Sequence, residues 1–262
     1  MKKFIKKYPN FYTYVLAMLL FGCALVISVF LNNGFIKQYF PFTAVIFLTI
    51  ATWFLLKREN KSLNTLGLNC KLKNIALLPL GVFVGVLVIL IVNCLRTLYL
   101  GETFNISEEI NVKNMMYALY AILPTVAVEE FLFRGYLFKK TIEISSVIKA
   151  NIIFSLLFMS IHVLDTDVLQ KPAMILLLGI SIPVGHLFFA TAMLKSKSLF
   201  LPIGIHLGNN WATRHLVSMS NDGESIFYIS NKVTFDTWPS FITFVILWNS
   251  IFLIATLIIW KW

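Results

Sequence analysis

Two adjacent carboxylates and one guanidinium interrupt an apolar run. Pro124 to Phe138 reads P-T-V-A-V-E-E-F-L-F-R-G-Y-L-F, with Glu129, Glu130 and Arg134 as its charged residues. Each charge costs about 2.5 to 3.5 kcal/mol at bilayer depth on insertion scales, so a membrane segment that keeps three keeps them for a task. In a helix, Glu130 and Arg134 lie four apart on one face, with the acid N-terminal to the base, the better order for an ion pair. Glu129 lies about 100° round from Glu130 and shares its face with Phe133, so the motif itself offers it no partner. One carboxylate is pinned and the other is available as a general base.

Two further apolar stretches carry polar groups at helical spacing. F-M-S-I-H sets Phe158 four residues before His162, and H-L-G-N-N-W sets His206 four before Asn210. A carboxylate base, two imidazoles and an amide are the parts needed to hydrolyse an amide bond. The base activates water, Asn210 and one histidine donate to the developing oxyanion, and the other histidine positions the water. Glu129, His162 and His206 also form a two-His, one-Glu set of the kind that holds catalytic zinc with an open fourth position. Neither H-E-x-x-H nor G-x-S-x-G occurs. Both routes stay open on the residues. The direct carboxylate route is preferred, because Glu129 as a ligand would leave only Glu130, already matched to Arg134, as a base. A zinc ion is the cofactor only if a metal is used.

The elements that must position these groups are membrane helices. The chain is 58% hydrophobic and 13% charged, against about 25% charged in soluble domains. Eight apolar segments can be counted, near 11–31, 39–56, 75–95, 115–138, 147–164, 173–194, 199–217 and 239–260. The expected fold is all-α: a single membrane domain, 1–262, of eight transmembrane helices around a polar cavity, its motif helices lying at about 115–217. The N-terminal M-K-K-F-I-K-K precedes a run too long for a cleaved leader and without a small-residue cleavage site, so it reads as a retained anchor.

Lys and Arg sort by loop. The N-terminal tail (Lys2, Lys3, Lys6, Lys7), the second, fourth and sixth loops and Lys261 total fifteen; the opposite loops hold six, including Lys232. Positive-inside then places both termini in the cytoplasm. The basic residues lie in short gaps between apolar runs, which argues for anionic lipid as a partner and against nucleic acid. Cys23, Cys70 and Cys94 are scattered, with no disulfide or metal spacing. The long polar gaps at 96–114 and 218–238 fall outside and hold six of the twelve acids.

At 1.5 Å per residue Glu129 lies roughly 13 Å from the inner end of its segment, and His206 and Asn210 roughly 10 and 16 Å from theirs. His162 matches at about 16 Å if its helix starts near Asn151, with 145–150 as a surface turn. Pro124 and Pro183 are expected to bend their helices. His186 belongs to no motif and reads as packing; His215, beside Arg214, reads as interfacial.

E-E-F-L-F-R-G-Y-L-F resembles the first motif, E-E-x-x-x-R, of the CPBP family, the CAAX prenyl protease and bacteriocin-processing or immunity proteins. F-M-S-I-H resembles its second, F-x-x-x-H, and H-L-G-N-N its third, H-x-x-x-N, all in the family's order. The resemblance implies an eight-helix intramembrane endopeptidase with Glu129 as base, Glu130 and Arg134 as supports, and His162, His206 and Asn210 completing the site. The family is often called a metalloprotease, although a metal-independent glutamate mechanism has been argued for its prenyl-protein members. The implied partner is a peptide or membrane-protein substrate. The Lys-rich, low-Arg composition suits an AT-rich bacterial genome, hence a bacterial cell membrane and a peptide or leader substrate rather than a prenyl protein. The rival is a non-proteolytic regulator or bacteriocin-immunity factor that acts by binding.

Overall fold

The structure, a computed structural model, describes residues 7–218, 220–221, 223–231, 233–235 and 237–262. Lys2, Lys3, Lys6 and Lys232 of the loop-charge count lie outside the described residues. Each apolar segment becomes a helix: α1 Pro9–Leu31, α2 Thr43–Arg58, α3 Leu77–Leu100, α4 Val112–Arg134, α5 Val147–Val163, α6 Pro172–Ser196, α7 Phe200–Trp211 and α8 Trp238–Lys261. The protein is an all-α polytopic membrane protein. Among the described residues, five spans are long and apolar enough to cross a bilayer: Pro9–Leu31, Leu72–Leu100, Val112–Ile144, Pro172–Ser196 and Trp238–Lys261. Helices α2, α5 and α7 are shorter, so of the eight transmembrane helices expected, five reach that length and apolarity.

Two details depart from expectation. Helix α5 starts at Val147, not near Asn151, because Ser146 caps it by accepting a hydrogen bond from the Lys149 amide. The polar loops 96–114 and 218–238 are also not simply irregular. Strands β1 Thr103–Ile106, β2 Val217–Ser218 and β3 Phe227–Ser230 form a sheet in the order β1-β3-β2, with β1 antiparallel to β3 (Phe104 opposite Ile229) and β2 parallel to it (Val217 opposite Phe227). Strand pairing between loops distant in sequence leaves no periodic signal in either loop alone. Pro124 and Pro183 lie inside α4 and α6, and both helices run on through them.

Helix α7 is the axis of the bundle. Residues 201–209 are all buried, His206 and Asn209 among them. Its fit against α3 rests on four glycines, Gly81 and Gly85 on α3 and Gly204 and Gly208 on α7. A Cβ on any of them would collide with backbone of the facing helix: Leu201, Ile205, Leu78 and Val82 respectively. Paired small-xxx-small stripes of this kind let membrane helices approach backbone to backbone. His206, midway between Gly204 and Gly208, points to the opposite side. Gly208→Ala is expected to cost about 1 to 3 kcal/mol through overpacking. Gly22, with nothing within 4 Å of its Cβ position, is the control: Gly22→Ala should be neutral or stabilising when thermal unfolding in detergent is compared.

After Arg134 the chain breaks at Gly135 and continues as a short helix, Tyr136–Ile144. A Cβ at Gly135 would collide with the Phe131 carbonyl, so the break needs glycine. This short helix docks on the loop after α2 through ions. Glu59 Oε1 accepts hydrogen bonds from Lys140 Nζ at 2.7 Å and from the Tyr136 hydroxyl at 2.8 Å, and Lys61 bridges Glu59 and Glu143 at 3.0 and 2.8 Å. Burial works against the ionised Glu59 carboxyl, but the hydrogen bonds from Lys140, Tyr136 and Lys61 outweigh it and hold it below its ordinary value of 4.5. A depressed carboxylate contributes stability that is present above its unfolded-state pKa and lost as pH falls through its folded-state pKa. Acidification below about pH 4.5 should therefore loosen this dock. Amide hydrogen exchange at 59–66 should rise while that of α3 holds, and Glu59→Gln should remove the pH step.

Candidate active site

Helices α4 and α7 run antiparallel and are tied at two levels. Trp211 Nε1 donates to the Met115 carbonyl at 2.9 Å near one end, and His206 meets the Glu129–Glu130 pair towards the other. Glu130 and Arg134 are both 0% exposed. Glu130 Oε1 accepts a hydrogen bond from Arg134 Nη1 at 2.9 Å and a second from His206 Nδ1 at 2.8 Å. The i,i+4 pair expected from spacing is present, and His206 adds a partner from another helix.

Arg134 is covered by rings. Its guanidinium carbon lies 4.3 Å from the Phe158 ring centre and 5.1 Å from that of Phe189, distances at which a desolvated cation–π contact contributes about 2 kcal/mol. Phe189 also stacks on His206, 4.7 Å between centroids at 16°. Phe158 meets His206 edge-on at 6.2 Å. The two rings sandwich Arg134 and His206 in place, so neither side chain can swing without opening the packing.

Glu129 differs from its neighbour. Its side chain keeps 23% of its surface exposed, and its Oε2 lies 3.6 Å from His206 Nε2, too long for a hydrogen bond. With Nδ1–H committed to Glu130, His206 faces Glu129 through Nε2, and a water touching both atoms would find an acceptor on each side. His162 is half-buried; its Nδ1–H donates to the Phe158 carbonyl at 2.8 Å, and its ring meets that of Phe158 at 4.7 Å. It joins the other residues through Phe158, and among the described residues it makes no hydrogen bond to Glu129 or His206. Asn210 is half-buried one turn beyond His206, and its amide makes no hydrogen bond among the described residues.

The structure thus brings Glu129, Glu130, Arg134 and His206 into contact, adds His162 across Phe158, and sets Asn210 on the adjoining turn. Phe189 and the Gly135 break were missed. An isolated Phe in an apolar helix carries no signal, whereas Gly135 directly follows the charged motif and was open to notice. Among the described residues no group of three or more His, Cys, Asp and Glu side chains is placed to hold a metal ion. No step below runs through a metal.

An all-α polytopic membrane protein with a carboxylate–imidazole–guanidinium site sunk among its helices is the class that fold and geometry define. Residues 111–212, from the cap of α4 to the end of α7, match the family described as Type II CAAX prenyl endopeptidase Rce1-like. The matched stretch contains all six candidate residues. No curated protein and no solved structure matches the chain.

Proposed function

We propose that the protein is an intramembrane endopeptidase that cleaves a peptide or membrane-associated protein near the cytoplasmic side, with Glu129 as general base. The observation that carries this reading is the contrast within the glutamate pair. Glu130 is sealed and holds Arg134 and His206, while Glu129 is part-exposed and, among the described residues, makes no hydrogen bond, with His206 Nε2 3.6 Å away. Glu129 takes a proton from the water between it and His206, and the hydroxide oxygen bonds to the scissile carbonyl carbon. Asn210 Nδ2 donates to the oxyanion as it forms. When the C–N bond breaks, the proton held on Glu129 passes to the leaving amine. His162 borders the entry and orients the chain being cut. Lipid surrounds the bundle, and both termini face the cytoplasm.

The family's described activity on CAAX prenyl ends supports a substrate presented at the membrane surface. A bacterial peptide or leader is the class the composition favours. The test is a proteoliposome assay with a farnesylated CAAX peptide and a set of unprenylated apolar peptides, run with and without chelator. Wild type should cleave at least one of these with chelator present, and Glu129→Gln should not. A biological function that survives simultaneous replacement of Glu129, His162 and His206 would select a binding role instead.

A further inference from the structure

Helix α6 carries a buried histidine for which the proposed reaction has no use. His186 is 0% exposed, and neither ring nitrogen has a hydrogen-bond partner among the described residues. Leaving a buried polar atom unmatched is costly, so such atoms in native proteins are matched by protein groups or by ordered water. His186 is not alone. Arg134 Nε and Nη2 and Glu130 Oε2 are likewise buried without a partner.

Ring contacts connect His186 to the helices that carry these groups. The His186 ring sits edge-on to Phe138, 5.7 Å between centroids, and Phe138 follows Arg134 by four residues across the Gly135 break. Phe189, one turn beyond His186 on the same helix, is the ring that covers Arg134. Their chemistry is complementary: guanidinium only donates, carboxylate only accepts, and a neutral imidazole offers one acceptor nitrogen. One water accepting from Arg134 and donating to His186 and to Glu130 Oε2 would match three of these atoms, within the usual two to four partners of a buried water.

We propose that His186 is a positioning residue: through a buried water it accepts a hydrogen bond from Arg134, fixing the guanidinium that holds Glu130 and, through Glu130, the direction of His206 towards Glu129. Its effect on turnover rests on the protease reading above; the hydrogen bond itself does not.

Two readouts separate these levels. The chain has four arginines, so a 15N-arginine label resolves the Arg134 Nε–H, assigned through Arg134→Lys. In wild type in bilayers, this proton should resist solvent exchange; in His186→Leu it should lose protection at least tenfold; in His186→Gln, which restores an acceptor, protection should return. In the cleavage assay, His186→Leu should lower kcat by about 10- to 100-fold with KM within twofold, the size of effect that outer-shell partners show, and His186→Gln should recover most of it. Equal Arg134 exchange in wild type and both variants would overturn the proposal, as would an unchanged kcat in His186→Leu. If His186→Leu does not fold, wild type and His186→Gln still decide, since rapid exchange of Arg134 Nε–H in either contradicts the link. Absence of cleavage by wild type with the exchange pattern intact would remove the protease reading and leave the His186–Arg134 link standing.

Discussion

Glu129→Gln should lower turnover by about 100- to 10,000-fold, the range for loss of a positioned general base. The substitution keeps the side chain's shape and removes only its capacity to take a proton from water. Stability should barely move, within about 0.5 kcal/mol, because Glu129 makes no hydrogen bond among the described residues and keeps 23% of its side chain exposed. Loss of activity without loss of fold distinguishes a reacting group from a structural one. The comparison is of kcat for the two proteins in the same vesicles, with thermal unfolding in detergent as the check on folding. Turnover in Glu129→Gln near that of wild type would remove Glu129 from this role.

Its neighbour should behave in the opposite manner. Glu130→Ala or Arg134→Ala leaves one fully buried charge unmatched, and breaking such a pair costs about 3 to 5 kcal/mol. The loss should appear first as a lowered unfolding temperature, with activity lost as a consequence. Arg134→Lys should not rescue it. A lysine cannot reproduce the planar stacking on Phe158 and Phe189 or the forked donor set. Replacing both members by Met should cost less stability than either alanine, because no charge is stranded, yet should still disable cleavage by freeing His206. A double variant less stable than both single alanines would contradict this account of the pair.

Much of this site could be read before any coordinates. The pairing of Glu130 with Arg134 follows from a spacing of four and the cost of charge in a membrane, and the structure has that bond at 2.9 Å. The isolation of Glu129 follows from the same helical geometry. What could not be read is contact between helices. Nothing in H-L-G-N-N says that His206 bonds to Glu130, because the partner lies 76 residues away and the bond depends on where α7 packs. The glycines that set that packing stand in the sequence at four-residue spacing in two segments, but only the pairing of α3 with α7 gives them meaning. The depth of His162 was misjudged because Ser146, a good N-cap, starts α5 four residues earlier than supposed. The three-stranded sheet escaped because its strands are four residues or fewer and its antiparallel pair joins loops more than a hundred residues apart.

The central claim is that a carboxylate on α4 activates water against a peptide bond. The most direct measurement is mass spectrometry of peptides cut by the purified protein in vesicles, in water enriched with oxygen-18 and under single-turnover conditions. The account predicts a new C-terminal carboxyl carrying one heavy oxygen from wild type, with chelator present, and intact peptide from Glu129→Gln. Labelled product formed equally by Glu129→Gln, or product from wild type without the heavy oxygen, would contradict it.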